Sequence, residues 1–341
     1  MRAVGLYEPS LLDPGQALVD LDVPVPEPRP RDLRVAVRAV SINPADIYMR
    51  KSFAPTQGQP QILGYDASGI VESVGSEVSL FNVGDEVFYA GDMTRPGSNS
   101  ELQLVDERIV GLKPKTLSFT EAAAMPLTSI TAWELLFDKL GVVFGSKTDP
   151  GVLLIINGAG GVGSMLTQLA RQLTGLTVVA TASRPESIGW CRQMGAHYVI
   201  NHHEPLDHGL REIGIEQVNF VAGLTGSDRQ MSAIATVIAP QGKFALIDDP
   251  KPFDISPLKL KSVSVHWELM FTRSMFQTAD MIAQHRLLTS ISDLVDLGIL
   301  RTTLTNSIGP MSAATIARGH TLAETGRSIG KIVLGGFPTT S

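Results

Sequence analysis

Hydrophobic and polar positions follow two different periods along this chain, and the change falls near Leu117. Upstream, apolar and β-branched residues alternate in short runs. These are Asp32–Ile42 (DLRVAVRAVSI), Gly69–Val78 (GIVESVGSEV), Val83–Gly91 (VGDEVFYAG) and, further on, ELQLVDERIVGL. Gly and Asp punctuate the gaps. Short strands at this spacing predict a compact barrel-like or rolled antiparallel domain. The proline-rich stretch Pro24–Asp32 (PVPEPRPRD) reads as a rigid connector.

Downstream, SFTEAAAMPLTSITAWELLFDKL has helical spacing, and Ser118 with Glu121 has the spacing of a capping box. Strand-like and helical runs then alternate. GVLLIIN, LTVVATAS, HYVIN, VNFVAG and GKFALID read as strands, with VGSMLTQLARQLTG and PESIGWCRQMG as helices among them. Apolar strands separated by helices predict a parallel sheet with right-handed crossovers. The fold class is therefore α/β, a Rossmann-type doubly wound sheet joined to a β-rich domain.

At 341 residues the prior is two domains. The hydrophobic share of 43% supports a sizeable core, and the net charge of −6 argues against nucleic acid as a partner. Cys191 is the single cysteine, which excludes an internal disulfide and a multi-cysteine zinc site and fits a reducing compartment. The first residues lack a secretory pattern, and no run approaches ~18 apolar residues. A cytoplasmic protein with no membrane partner is expected.

Candidate chemistry begins at the junction between the two kinds of run. Gly158-Ala159-Gly160-Gly161-Val162-Gly163 satisfies G-x-G-x-x-G and sits between a strand and a helix, the context in which that pattern binds a dinucleotide. The first glycine is expected to permit the tight turn, the second to let the backbone approach a pyrophosphate, and the third to bring helix and strand close. The helix start offers N–H groups and partial positive charge to phosphate. An acidic residue would end the next strand if the cofactor were NAD. The chain reads Ala182-Ser183-Arg184 there, a hydroxyl and a guanidinium that suit a 2′-phosphate, so the expected cofactor is NADPH. The alternative is a solvated Arg184, and Glu186 suits the first turn of the following helix. His202 or His203, after the third strand, falls at the adenosine end or in a plain exposed loop; a metal site is the further alternative, although adjacent side chains on a strand point apart.

SINPADIYMR (Ser41–Arg50), LGYDASGIVESVG (Leu63–Gly75), FNVGDEVFYAG (Phe81–Gly91), PLTSITAWELL (Pro126–Leu136) and IGKIVL (Ile329–Leu334) complete a series of blocks around the glycine turn. With them the whole chain resembles a medium-chain dehydrogenase/reductase. FYAGDMTRPGSNSELQLV, TASRPESIGWCRQMGA and LKLKSVSVHWELMF bring it close to the bacterial zinc-type alcohol dehydrogenase-like proteins, near the quinone oxidoreductases. The resemblance implies a GroES-like catalytic domain from residues 1–124 and 290–341, a nucleotide domain at 125–289, an active site in the cleft and a homodimer.

It also raises the question of zinc. Zinc-dependent members place a cysteine ligand within the segment that here reads SINPAD, and a histidine where this chain has Tyr65 in Gly64-Tyr65-Asp66. Their structural zinc lobe needs four closely spaced cysteines. Catalytic zinc needs three protein ligands, so no bound metal is expected. Without that Lewis acid, the reaction that fits is hydride delivery from NADPH to an already electrophilic acceptor, a quinone or an α,β-unsaturated carbonyl.

The resemblance suggests particular residues. Asn43 matches an asparagine beside the nicotinamide, with a turn role before Pro44 as the alternative. Tyr48 matches a tyrosine of quinone oxidoreductases and could hydrogen-bond the acceptor oxygen. Tyr65 lines the pocket as a wall or donor. Thr131, with Thr128 as a weaker companion, matches a cofactor contact. Met270 and Phe271 are candidates for the substrate pocket or plain core. Lys331 is expected to approach the cofactor phosphates or to be solvated. Asp46 suits helix capping or the orienting of a neighbour, and Asp66 reads as structural. Two rival functions stand beside the reductase: a zinc-dependent alcohol dehydrogenase, and an NADPH-binding sensor or scaffold with little turnover.

Overall fold

Alternation shapes the first long strand, β1 (Asp32–Ser41), where Leu33, Val35, Val37 and Ala39 are buried while Arg34, Ala36 and Arg38 are less so. A period of two puts one set of side chains on the core face. The helix α1 (Pro44–Ser52) follows directly, with Pro44 in its first turn, where the missing N–H costs nothing. The strand β2 (Asp66–Val74) returns antiparallel to β1, with Ser41 opposite Asp66. These residues belong to a computed structural model that describes residues 1–9, 13–52, 58–148, 151–249 and 252–338.

Further along, the Ser118 side chain accepts the Glu121 N–H and Glu121 accepts the Ser118 N–H, forming the reciprocal cap that the sequence spacing predicts.

A second kind of sheet starts at β3 (Val152–Ile156), followed by α2 (Gly161–Leu173), β4 (Thr177–Thr181), α3 (Pro185–Gln193), β5 (Tyr198–Ile200), β6 (Val218–Gly223), β7 (Ile238–Leu246) and β8 (Ser264–Trp267). All six strands are parallel, in the order β5-β4-β3-β6-β7-β8. Leu154, Ile156, Val179, Val221, Phe244 and Leu246 fill its core. Burial on both faces explains why these strands read as continuous apolar runs rather than as alternation. Strand order reverses between β3 and β6, and ligands of open α/β sheets bind at that switch point, beyond the strand C-termini.

The chain closes with α4 (Ile282–Asp296), α5 (Ala313–Glu324) and β9 (Lys331–Gly335). β9 pairs antiparallel with β1 and completes a seven-stranded sheet that also contains β2, Glu86–Tyr89, Leu102–Asp106, Val110–Leu112 and Leu304–Pro310. It departs from the purely antiparallel expectation in one pair: Leu304–Pro310 runs parallel to β9.

Two units result, Met1–Leu127 with Phe271–Ser341, and Thr128–Met270. The return falls at Phe271, earlier than the expected residue 290. The cause is α4, which packs on Val110–Leu112 so closely that a Cβ on Gly111 would lie 2.6 Å from the Leu288 Cβ. The His285 Nδ1 also sits 2.7 Å from the Val110 carbonyl. Among the described residues, no helix is long and apolar enough to cross a membrane.

Candidate functional site

The candidate residues gather in two places, one in each unit. In the Thr128–Met270 unit, the glycine turn links β3 to α2. Left-handed backbone is needed at Asn157 (φ 60), one residue before the position expected to make the turn. Asn157 is held there by two bonds: its N–H donates to the Thr181 Oγ1 at 2.9 Å, and its Nδ2 to the Thr225 carbonyl at 3.1 Å. Gly158 is required for a different reason from the one its motif position suggests. A Cβ there would lie 2.8 Å from the Ala180 Cβ on β4. Gly163 packs the helix onto the turn, since its Cβ would meet the Gly158 carbonyl oxygen at 2.5 Å. Gly160 has ordinary φ (−73), and nothing lies within 4 Å of the place a Cβ would take. Gly160, Gly161 and Val162 are only half buried, while Gly158 and Gly163 are buried.

The start of α2 has no side-chain cap, as an anion-binding helix start requires. Trp190 of α3 steadies it from the side. Its Nε1 donates to the Ser164 Oγ at 2.8 Å, and that hydroxyl donates to the Gly160 carbonyl at 2.7 Å. The open face at Gly160 is the space a pyrophosphate needs, so these residues fit a dinucleotide.

Ser183 and Arg184 follow β4, with Arg184 preceding the first turn of α3. The Arg184 Nη1 lies 3.2 Å from the Glu186 Oε1, a pairing that leaves both side chains partly exposed. Glu186 does occupy the first helical turn. The His202 Nδ1 is 3.3 Å from the Thr181 Oγ1, which ties it to Asn157. Burial, then the neighbouring His203, hold His202 below its ordinary pKa. Thr128 and Thr131 are buried on the helix Pro126–Trp133, and Met270 is buried at the end of this unit.

In the other unit, Asn43, Asp46, Tyr65, Asp66 and Lys331 are all buried. Asp66 is the hub. Its Oδ2 accepts from the Ser41 hydroxyl at 2.6 Å, the Asn43 Nδ2 at 2.9 Å and the Lys331 Nζ at 3.0 Å, and its Oδ1 accepts the Leu127 N–H at 2.7 Å. The Lys331 Nζ also donates to the Ile42 carbonyl at 2.9 Å and to the Asn43 Oδ1. An ammonium has three protons, and these three acceptors use them. The expectation that Lys331 approaches cofactor phosphates is therefore corrected: it is a buried counter-ion, neither solvated nor turned to a phosphate. Asn43 belongs to the same network. Its Nδ2 donates to Asp66 and, at 3.3 Å, to the Ser41 carbonyl, so neither amide proton remains for a substrate oxygen.

The two candidate tyrosines lie in opposite settings. Tyr48 is 54% exposed on α1 and Tyr65 is 2% exposed. The Tyr65 ring meets Phe271 edge-on, with centroids 5.0 Å apart. Burial, then the charges of Asp46 and Asp92, hold its phenol well above the ordinary value, so it stays a proton donor. Asp46 is legible as a helix cap, and its Oδ2 does accept the Asn43 N–H at 2.7 Å. Its Oδ1 is buried and has no hydrogen-bond partner, which no local sequence signal announces. Burial pushes the Asp46 carboxyl up to about 7, against the Asn43 N–H and the Lys331 ammonium, which favour its charged form.

These residues do not fit a catalytic zinc. Asn43 Oδ1 faces the Lys331 ammonium, where a ligand would face a metal cation. The Tyr65 phenol is shifted away from the phenolate that a metal would bind. Cys191, buried in the other unit, is raised to about 12 by burial. Among the described residues, no group of three or more His, Cys, Asp or Glu side chains is arranged to hold a metal ion, the His202–His203 pair included.

Two family models match the chain. Residues 29–132 match the alcohol dehydrogenase GroES-like domain and residues 161–284 the zinc-binding dehydrogenase family. A zinc-type alcohol dehydrogenase-like protein of Staphylococcus aureus is 39% identical over 336 residues, covering 98% of this chain and 99% of its own. The NADPH-dependent alkenal/one oxidoreductase of Arabidopsis thaliana chloroplasts is 36% identical over 177 residues, 49% of this chain and 44% of its own. Among solved structures, one from Rhizobium etli CFN 42, named for the zinc-dependent alcohol dehydrogenases, is 52% identical. It superposes with a TM-score of 0.95 over 99% of this chain and 98% of its own.

Proposed function

Since the chain belongs to the medium-chain dehydrogenase/reductase superfamily and is a nicotinamide-dependent oxidoreductase, we propose that it is a zinc-independent, NADPH-dependent reductase of quinones or α,β-unsaturated carbonyls. The observation that carries this reading is the Lys331–Asn43–Asp66 network. It buries an ammonium against Asn43, in the segment where the resemblance places a cysteine ligand of the zinc-dependent members, and against Asp66, next to Tyr65 at the place of their histidine. An acceptor that needs no metal is one whose own conjugation spreads the incoming charge onto oxygen. The Arabidopsis relative, named for NADPH and for alkenals and enones, supports that acceptor class.

The nicotinamide, when bound, supplies the hydride. The residues of this chain do the rest. The backbone of Gly160, Gly161 and Val162 binds the pyrophosphate at the start of α2. Ser183 and Arg184 receive the 2′-phosphate, and Thr131 and His202 border the cofactor. Tyr65 donates a hydrogen bond to the acceptor oxygen, which grows negative as reduction proceeds. Phe271, edge-on to Tyr65, walls the acceptor. Lys331 and Asp66 hold the Asn43 segment rigid beneath it.

Two measurements test the reading. Arg184→Asp is expected to weaken NADPH binding by about tenfold or more and to shift preference toward NADH, since a charge-assisted phosphate contact is worth roughly 1.5–3 kcal/mol. An unchanged NADPH-to-NADH affinity ratio removes Arg184 from the cofactor site. Stoichiometric zinc in purified protein would favour the rival reading, an alcohol dehydrogenase, which the names of several relatives carry.

A further inference from the structure

A peptide between two glycines can turn over, and the one between Gly160 and Gly161 sits in the turn assigned to the pyrophosphate. We propose that Trp190 is a positioning residue for that pyrophosphate. Through Ser164 it fixes the Gly160–Gly161 peptide with its N–H outward. The inference rests on the dinucleotide reading of the turn and deepens it, since Trp190 lies outside the glycine motif.

The direction of the bond chain follows from its donors. An indole Nε1–H can only donate. The 2.8 Å contact therefore uses the Ser164 Oγ as acceptor, and the single proton of that hydroxyl goes to the Gly160 carbonyl at 2.7 Å. The same carbonyl accepts the Ser164 N–H at 2.9 Å. Both lone pairs of the Gly160 oxygen are then taken, and both donors belong to α2. The peptide is trans, so its N–H points opposite its C=O. The Gly161 N–H is thereby turned out of the helix start. Gly160 leaves that start uncovered, with nothing within 4 Å of the place a Cβ would take.

Turning this peptide over needs positive φ at Gly161, which a side chain would resist and glycine does not. The flip would aim a carbonyl oxygen, with its partial negative charge, at the phosphate. The glycines that give the phosphate room therefore leave the peptide without a steric lock, and Trp190 with Ser164 supplies one. Ser164 is fully buried, so water does not compete for its hydroxyl. Trp190 reaches it from α3, the helix that Arg184 precedes. One helix thus serves two phosphate groups. Arg184 reads the 2′-phosphate that NADPH alone carries, and Trp190 holds the turn for the pyrophosphate that NADPH and NADH share.

The test measures dissociation constants by titration, with no acceptor present. The probes are NADPH, NADH and adenosine 2′-monophosphate, which carries the 2′-phosphate but no pyrophosphate. Trp190→Phe keeps an aromatic ring and loses the donor. It is expected to weaken NADPH and NADH by the same factor, about fivefold, the scale of one hydrogen bond. Adenosine 2′-monophosphate should bind as it does to the wild type, whereas a general loosening of the unit would weaken all three. Ser164→Ala removes the bond to Gly160 itself and is expected to give the same pattern, so the test stands even if Trp190→Phe fails to fold. The double variant should bind no more weakly than Ser164→Ala.

Unchanged dinucleotide affinity in both single variants overturns the proposal. So does a loss confined to one dinucleotide, an equal loss for adenosine 2′-monophosphate, or losses that multiply in the double variant. Wild-type protein that binds the dinucleotides but reduces neither quinone nor enone overturns the reductase reading and leaves this inference intact. Wild-type protein that binds neither dinucleotide overturns both.

Discussion

Lys331→Met is expected to destabilise the chain by about 3–5 kcal/mol, the usual effect of removing one partner from a buried ion pair. Methionine replaces the aliphatic stem but not the charge. Asp66, with no exposed surface, then keeps a carboxylate without its cation, and the Ile42 carbonyl and the Asn43 Oδ1 each lose a donor. Adding Asp66→Asn to Lys331→Met should recover part of the loss, because the uncompensated charge is gone. Equilibrium denaturation gives the total, and amide exchange across β9 and β1 locates it, which matters for a chain of two units. A loss below about 1 kcal/mol would mean that the Asp66 charge is satisfied by something other than Lys331.

Gly163→Ala and Gly160→Ala are expected to fail in opposite ways. At Gly163 the new methyl would meet three backbone atoms of Gly158 at 2.5–2.7 Å, and backbone cannot rotate away as a side chain can. The turn must open, at a cost of roughly 1–3 kcal/mol or more, and the dinucleotide site is deformed with it. At Gly160 the methyl meets nothing and φ suits alanine, so thermal stability should hold or rise slightly. That methyl instead takes the space assigned to the pyrophosphate, and NADPH affinity should fall at least tenfold. Isothermal titration beside a melting curve separates the two outcomes. Wild-type NADPH affinity in Gly160→Ala would take the pyrophosphate away from this turn.

The difference between these glycines shows where sequence reading stops. The strand–turn–helix context was legible because β3 is a continuous apolar run, α2 has helical spacing, and both lie beside the motif. The contact that demands Gly158 was not, since Ala180 belongs to another strand and reaches the turn only in the folded sheet. The Ser118–Glu121 cap was readable for the same local reason. Lys331 shows the opposite case. Its partners Asn43 and Asp66 are 288 and 265 residues away, so a lysine in a short strand read as a surface or phosphate-binding group. Asp46 was half legible: the spacing from Asn43 gives the cap, while the stranded Oδ1 depends on what β2 and β9 bury around it. The early return at Phe271 depends likewise on α4 fitting against Gly111.

The most direct test of the central claim follows NADPH oxidation by purified, chelator-treated protein with four acceptors: a simple quinone, an enone, an aldehyde and a saturated ketone. Turnover confined to the quinone or the enone, unchanged by the chelator, is the expected result. Aldehyde or ketone turnover that disappears on chelation and returns with zinc would contradict it, and would mean that the buried network around Lys331 gives way to a metal.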